Sequence, residues 1–179
     1  MNQDIKKEII FVGPLSAVNP TVENTDVGYL VTLINDQTMI ETPPSISPRK
    51  HLRLAMNDIS EPQPGMVIPG DDHVSELLDF VIAWDQKQPM LIHCWAGISR
   101  STAAAYIALC ALNPEVGERH IAQTLRAASP TATPNRRLVT LADELLGRKG
   151  RMKLAIDEIG RGQTTMEGQL FKLPARLAA

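Results

Sequence analysis

Between Ser101 and Leu112 the chain reads STAAAYIALCAL, a run of good helix formers without one charged residue. A helix with no polar face belongs inside a protein or a membrane. Its most apolar part, Ala103 to Leu112, is far shorter than the roughly 20 residues that span a bilayer. The sequence therefore predicts a helix buried on most sides by other elements. Apolar, strand-like runs supply the partners: EIIFVG (Glu8 to Gly13), VGYLVTLI (Val27 to Ile34), HLRLAM (His51 to Met56) and MLIH (Met90 to His93). From His73 a helix follows, with Val74, Leu77, Leu78, Val81 and Ile82 on one stripe and Asp71 or Asp72 as its N-cap. Strands alternating with helices predict an α/β fold, a central, mostly parallel sheet flanked by helices on both faces.

Further along, a helix fits Gly117 to Ala128. Another runs to Leu146, with Thr133 as cap and Pro134 at its first position. Gly147 and Gly150 bracket a basic linker, RMKLAIDEIG (Arg151 to Gly160) reads as a last short helix, and FKLPARL as an apolar tail. This divides the chain into a domain over 1–150 and a C-terminal helical extension over 151–179. A net charge of −2 with no basic stripe argues against nucleic acid. The apolar run Ile9 to Val12 behind the charged N-terminus is too brief for a signal peptide, and no stretch suits a membrane. Two cysteines, Cys94 and Cys110, make no disulfide framework, so a reducing compartment, the cytoplasm, is expected. Nothing in the sequence signals an oligomeric state.

The uncharged helix is entered through HCWAGISRS, His93 to Ser101. A strand ending at His93 and a helix starting near Arg100 leave a short loop at the carboxyl edge of the sheet, where open α/β sheets bind ligands. Inward-facing backbone N–H groups and the helix N-terminus would form a cup for a tetrahedral anion. Ala96 and Gly97 let the backbone come close to it. Arg100, six residues after Cys94, offers a planar fork for two phosphate oxygens. Helix N-termini and cations favour thiolates, so a cysteine at the floor of the cup is placed for in-line attack on phosphorus. Trp95, Ala96, Gly97, Ile98, Ser99 and Arg100 are the candidate substrate-binding residues.

HCWAGISRS resembles the phosphate loop of the cysteine-dependent protein tyrosine phosphatase superfamily, and its AGISRS half is similar to the dual-specificity branch and to small bacterial-type tyrosine phosphatases. The resemblance implies a protein tyrosine phosphatase-like fold, no cofactor and no metal. It implies Cys94 as nucleophile and Arg100 as phosphate clamp. Ser101 would hydrogen-bond the sulfur to ease breakdown of the phosphoenzyme, and His93 would orient the loop and tune the thiolate. The general acid expected of this family resembles Asp58 in AMNDIS, at the head of a Pro- and Gly-rich loop, with Asp71 and Asp72 as rivals that capping would explain. ASPTATPN (Ala128 to Asn135) is similar to the start of the family's last helix. The likeness covers Ile9 to Leu146. It implies a phosphatase acting on a phosphorylated protein, through phosphotyrosine or dual specificity, or on a small phosphate ester.

Plainer readings compete. Cys94 could be a core cysteine, but core packing needs no arginine at a fixed offset; for Cys110 packing is the favoured reading. His51 and His73 are expected at the surface or half-buried, and Trp95 either packs outward or lines a pocket rim. The loop holds no lysine, which weakens an inositol-lipid substrate. A catalytically idle phosphate- or phosphoprotein-binding module is the alternative function. Rhodanese-like sulfur transfer also uses a loop cysteine, but Arg100 and Ser101 favour phosphate esters.

Overall fold

The computed structural model describes residues 8–178. The charged run at residues 1–7, weighed above as a possible leader, lies outside the described residues. The strands are β1 (Ile9–Gly13), β2 (Tyr29–Ile34), β3 (His51–Ala55), β4 (Met90–His93) and β5 (Phe171–Pro174). They form one sheet in the order β3-β2-β4-β1-β5, parallel except for β5, which runs antiparallel to β1. β4 is thus inserted between β1 and β2, and its carboxyl end opens at the middle of the sheet. The expected mostly parallel α/β architecture is the one observed.

The helices are α1 (Val18–Asn24), α2 (Asp71–Ile82), α3 (Arg100–Leu112), α4 (Glu118–Ala128), α5 (Arg136–Leu145) and α6 (Arg151–Ile159). The uncharged run is α3, and every one of its residues except Ala111 is buried. It packs with Ile10, Val12, Val31 and Ile92 of the sheet and with the apolar stripes of α2, α4 and α5. Each fully buried Leu, Ile or Val contributes roughly 1.5–3 kcal/mol of transfer free energy. The alternate strand residues Leu30 and Leu91 face the other way and meet Val18, Val27 and Ile46. On that face the cover is the short α1 and a loop. Pro20 falls in the first turn of α1, where a missing N–H costs nothing.

Several boundaries differ from expectation. The N-cap of α2 is Gly70, with Asp71 and Asp72 in the first turn, where their charge still suits the helix dipole. α5 starts two residues later than Pro134, because the Asn135 side chain accepts from Leu138 N–H and caps it in place of Thr133. The apolar tail is half strand: Phe171–Pro174 is β5, which covers the otherwise open edge of β1. Among the described residues no helix is long and apolar enough to cross a membrane.

His51 is buried rather than at the surface or half-buried, and it belongs to a chain of polar side chains through the sheet. Thr42 Oγ1 lies 2.8 Å from His51 Nδ1, His51 Nε2 lies 2.8 Å from Thr32 Oγ1, and Thr32 Oγ1 lies 2.8 Å from His93 Nε2. The chain ends where His93 Nδ1 meets the carbonyl of Cys94 at 3.1 Å. A carbonyl can only accept, so the last bond fixes every proton before it. His93 Nδ1–H donates to Cys94, and Thr32 O–H donates to His93 Nε2. His51 Nε2–H donates to Thr32, and Thr42 O–H donates to His51 Nδ1. With both rings neutral, all four groups are satisfied.

Burial lowers both imidazoles to about 4. The charges of Arg53 and of His93 add to the effect at His51; at His93 the bond to Cys94 opposes it and Arg100 adds to it. Below the ordinary value of 6.5 the unfolded chain takes up protons that the folded chain refuses. Stability should therefore be flat above pH 7 and should fall with pH below 6.5, by up to about 1.4 kcal/mol per pH unit for each ring. Urea midpoints between pH 5 and 7.5 measure this, and His51→Asn should show a shallower slope. Thr32→Val, which strands one donor and one acceptor inside the sheet, should cost about 2–4 kcal/mol in the same assay at neutral pH.

Candidate active site

The loop from Cys94 to Ser99 leaves the centre of the sheet and turns directly into α3. Its carbonyls are drawn outward by three different segments. Leu15 N–H donates to Trp95 at 3.0 Å, Gly168 N–H to Ala96 at 2.8 Å, Thr133 N–H to Ile98 at 2.9 Å and Asn135 N–H to Ser99 at 3.2 Å. In a trans peptide the C=O of one residue and the N–H of the next point in opposite directions. Outward carbonyls therefore turn the N–H groups of Ala96, Gly97, Ser99 and Arg100 inward. One of them is seen at its target, Gly97 N–H donating to Cys94 Sγ at 3.2 Å.

Gly97 is obligatory at its place. Its φ is +70°, and a Cβ there would lie 2.5 Å from Pro14 N and 2.6 Å from Gly13 C at the end of β1. The loop leans on β1 so closely that only a bare backbone fits.

Cys94 is buried at the floor, with Ser101 Oγ 3.1 Å from its sulfur. Arg100, the first residue of α3, is also buried. Its Nη1 donates to the Met56 carbonyl at the end of β3 at 2.7 Å, which holds the guanidinium across the loop. Its Nε is buried with no partner. An unpaired guanidinium N–H in the interior is costly, and it marks a position an anionic ligand would satisfy.

Asp58 follows β3 and reaches the loop from the side. Its Oδ1 accepts from Ser99 Oγ at 2.7 Å and from Asn135 Nδ2 at 2.9 Å. Asn135 thus does two jobs, capping α5 and tethering Asp58. The long loop after β3 is closed on itself by Asn57, whose N–H donates to the Val67 carbonyl and whose Oδ1 accepts from Val67 N–H, both at 2.8 Å.

These groups open onto a cavity of about 480 Å³. Cys94, Trp95, Ala96, Ile98, Ser99, Arg100 and Asp58 line it. Trp95 stands at the rim, 54% exposed. Gly97 and Ser101 touch the sulfur without lining the cavity, and His93 lies behind the loop, reaching it through the carbonyl of Cys94. Asp71 and Asp72 are in the first turn of α2, outside the lining. Cys110 is buried in α3, where desolvation above all pushes its thiol up to about 12, so it is a packing group. Among the described residues no group of three or more His, Cys, Asp and Glu side chains converges as a metal site.

Sequence reasoning missed the other half of the cavity wall: Thr133, Arg161, Gln163, Thr164 and Thr165. Thr133 lay within a stretch already singled out. The four others come from the segment after α6 and carry no residue-type signature.

No family model matches the chain, and no curated protein matches it in sequence. Solved structures do match in shape. The structure of the human tyrosine phosphatase-like serine/threonine/tyrosine-interacting protein superposes with a TM-score of 0.60 at 16% identity, covering 78% of this chain and 92% of that one. DUSP15 gives 0.58 at 17% identity, over 83% of this chain and 90% of that one. The PTP-2 phosphatase of Cydia pomonella gives 0.56 at 21% identity, over 75% and 84%. The chain has the fold of the dual-specificity and protein tyrosine phosphatases.

Proposed function

We propose that this chain is a cysteine-dependent phosphatase that hydrolyses phosphate monoesters through a phosphocysteine intermediate. The observation that carries the reading is the buried, unpartnered Nε of Arg100 beside a ring of inward N–H groups around Cys94. A bound phosphate would satisfy both. The fold shared with dual-specificity phosphatases supports it.

In the proposed reaction the Cys94 sulfur attacks phosphorus in line as the bond to the leaving oxygen breaks, and Asp58 gives that oxygen its proton. The inward N–H groups and Arg100 bind the equatorial oxygens, whose charge must be stabilised in the transition state. Both bonds held by Asp58 fall on Oδ1, which leaves Oδ2 to carry the proton. A water then attacks phosphorus and passes a proton to Asp58. The S–P bond breaks, and Ser101 O–H and Gly97 N–H receive the departing thiolate. His93 is a positioning residue for the loop, through its bond to the Cys94 carbonyl.

Phosphotyrosine or dual-specificity phosphoprotein is the proposed substrate class, with small phosphate esters also admitted. The loop's lack of lysine argues against inositol lipids, although one structure of the same fold is of PTPMT1 in complex with PI(5)P. Free Cys94 and Cys110 fit a reducing compartment such as the cytoplasm.

Release of phosphate from para-nitrophenyl phosphate and from a phosphotyrosyl peptide, followed from pH 5 to 8, tests the reading. Cys94→Ser should be inactive on both. Asp58→Ala should lose 10²–10⁴-fold on the peptide, the typical worth of a general acid, and clearly less on para-nitrophenyl phosphate, whose more acidic leaving group needs a proton less. Wild-type activity in Cys94→Ser would refute the mechanism. No turnover in the wild type, with vanadate still raising its Tm, would instead identify a phosphate-binding module.

A further inference from the structure

The segment between α6 and β5 is built against the site at both ends. Arg126 clamps its start, donating from Nη1 to the Ile159 carbonyl at 2.7 Å and from Nη2 to the Gly160 and Ala132 carbonyls at 2.8 and 3.0 Å. Gly162 N–H donates to Thr133 Oγ1 at 3.1 Å, and Gln163 N–H to the Pro130 carbonyl at 2.9 Å. A Cβ on Gly162 would lie 2.6 Å from the Ala132 oxygen. At the far end Gly168 N–H donates to Ala96 within the loop, and a Cβ on Gly168 would lie 2.9 Å from the Gly97 oxygen. Ser16 Oγ, donating to Glu167 at 2.8 Å, adds a further tie at that end.

Residue 161 is therefore held in place from both sides, while its side chain makes no hydrogen bond among the described residues. Arg161 is exposed, lines the same cavity as Cys94 and Arg100, and takes part in none of the ion pairs among the described residues. The cavity is of a size that takes a drug-sized ligand, far more than one phosphate group. This wall is therefore open to the part of a substrate beyond the scissile phosphate.

We infer that Arg161 is a specificity-determining residue that binds a second anionic group of the substrate, next to the phosphate held by Arg100. This rests on the phosphatase reading. The substrate is then a phosphomonoester with another negative charge close by, as in a phosphopeptide with acidic neighbours or in a small bisphosphate. A guanidinium on a rigid backbone suits this task, since its fork meets carboxylate or phosphate in a fixed geometry.

The test compares kcat/KM of the full chain and of Arg161→Gln within two pairs of substrates. One pair is a phosphotyrosyl peptide flanked by Glu and the same peptide flanked by Gln; the other is a hexose bisphosphate and its monophosphate. The wild type should prefer the doubly anionic member of one pair, and that pair identifies the source of the second charge. Arg161→Gln should cut the preference about five- to tenfold, Arg161→Lys should keep part of it, and added salt should weaken it. Absence of any preference in the wild type overturns the inference, as does an equal loss on both members in Arg161→Gln. Should the wild type hydrolyse none of the four, the phosphatase reading fails, and calorimetric binding of the same pairs decides. An Arg161-dependent preference in affinity then keeps the anchor, and its absence removes it.

Discussion

The burial of α3 is the constraint on which the site depends. A helix that packs on the sheet and on three other helices cannot shift or fray at its first turn as a surface helix would. Its first turn holds Arg100 and Ser101, so both inherit the rigidity of the core. The alanines between Ala103 and Ala108 let the sheet and helices approach closely enough for this. Tyr106, in the middle of the helix, is satisfied by the carbonyls of Glu118 and Met152 at 3.3 and 3.2 Å. Packing energy is thereby converted into fixed positions for a cation and a hydroxyl around a sulfur.

Rigidity in the helix would be wasted if the loop could flex, and contacts distant in sequence hold it. Its carbonyls are tied to the end of β1, to the start of α5 and to the segment before β5, which are distant from one another in sequence. The same bonds that anchor the loop also aim its amides inward, so structure and electrostatics are set by one set of contacts. Behind the loop, the neutral Thr42–His51–Thr32–His93 chain holds the carbonyl of Cys94 from below. Burial above all is why both rings resist protonation, since a charged imidazole would have to leave water for the interior.

The sequence was most readable where side-chain pattern and element coincide. Strands β1 to β4, the uncharged α3 and the stripe of α2, save for Ile82, which is exposed, were legible because burial demands particular residue types at particular periods. The order of elements around HCWAGISRS was legible for the same reason. His51 was misread, since one polar residue opening a strand looks solvated until Thr32 and Thr42 are known to face it. Thr133 and Asn135 are both good caps, and only the path of the chain shows which amide is within reach. The cavity wall from Arg161 to Thr165 was illegible for a deeper reason. It is placed by backbone hydrogen bonds, which any residue can make, and by glycines at 162 and 168, whose close approaches to the chain only the fold reveals.

That wall also explains how residues after Gly150 bear on the rest of the chain. Asp143, near the end of α5, accepts from Gly150 N–H through Oδ1 and from Met152 N–H through Oδ2, at 2.6 and 2.7 Å, and so starts α6. Glu118 joins the buried Arg148 at 2.9 Å and Arg151 at 3.2 Å, and removing either Glu118 or Arg148 would leave an uncompensated charge in the interior. β5 then closes the edge of β1 beside the strand that carries the loop. A disturbance in this region would reach the cavity along two routes, through β1 to Gly13 and Pro14 under Gly97, and through Gly168 to the carbonyl of Ala96. The segment with no match in the sequence resemblance is the one that ties the sheet edge to the rim of the site.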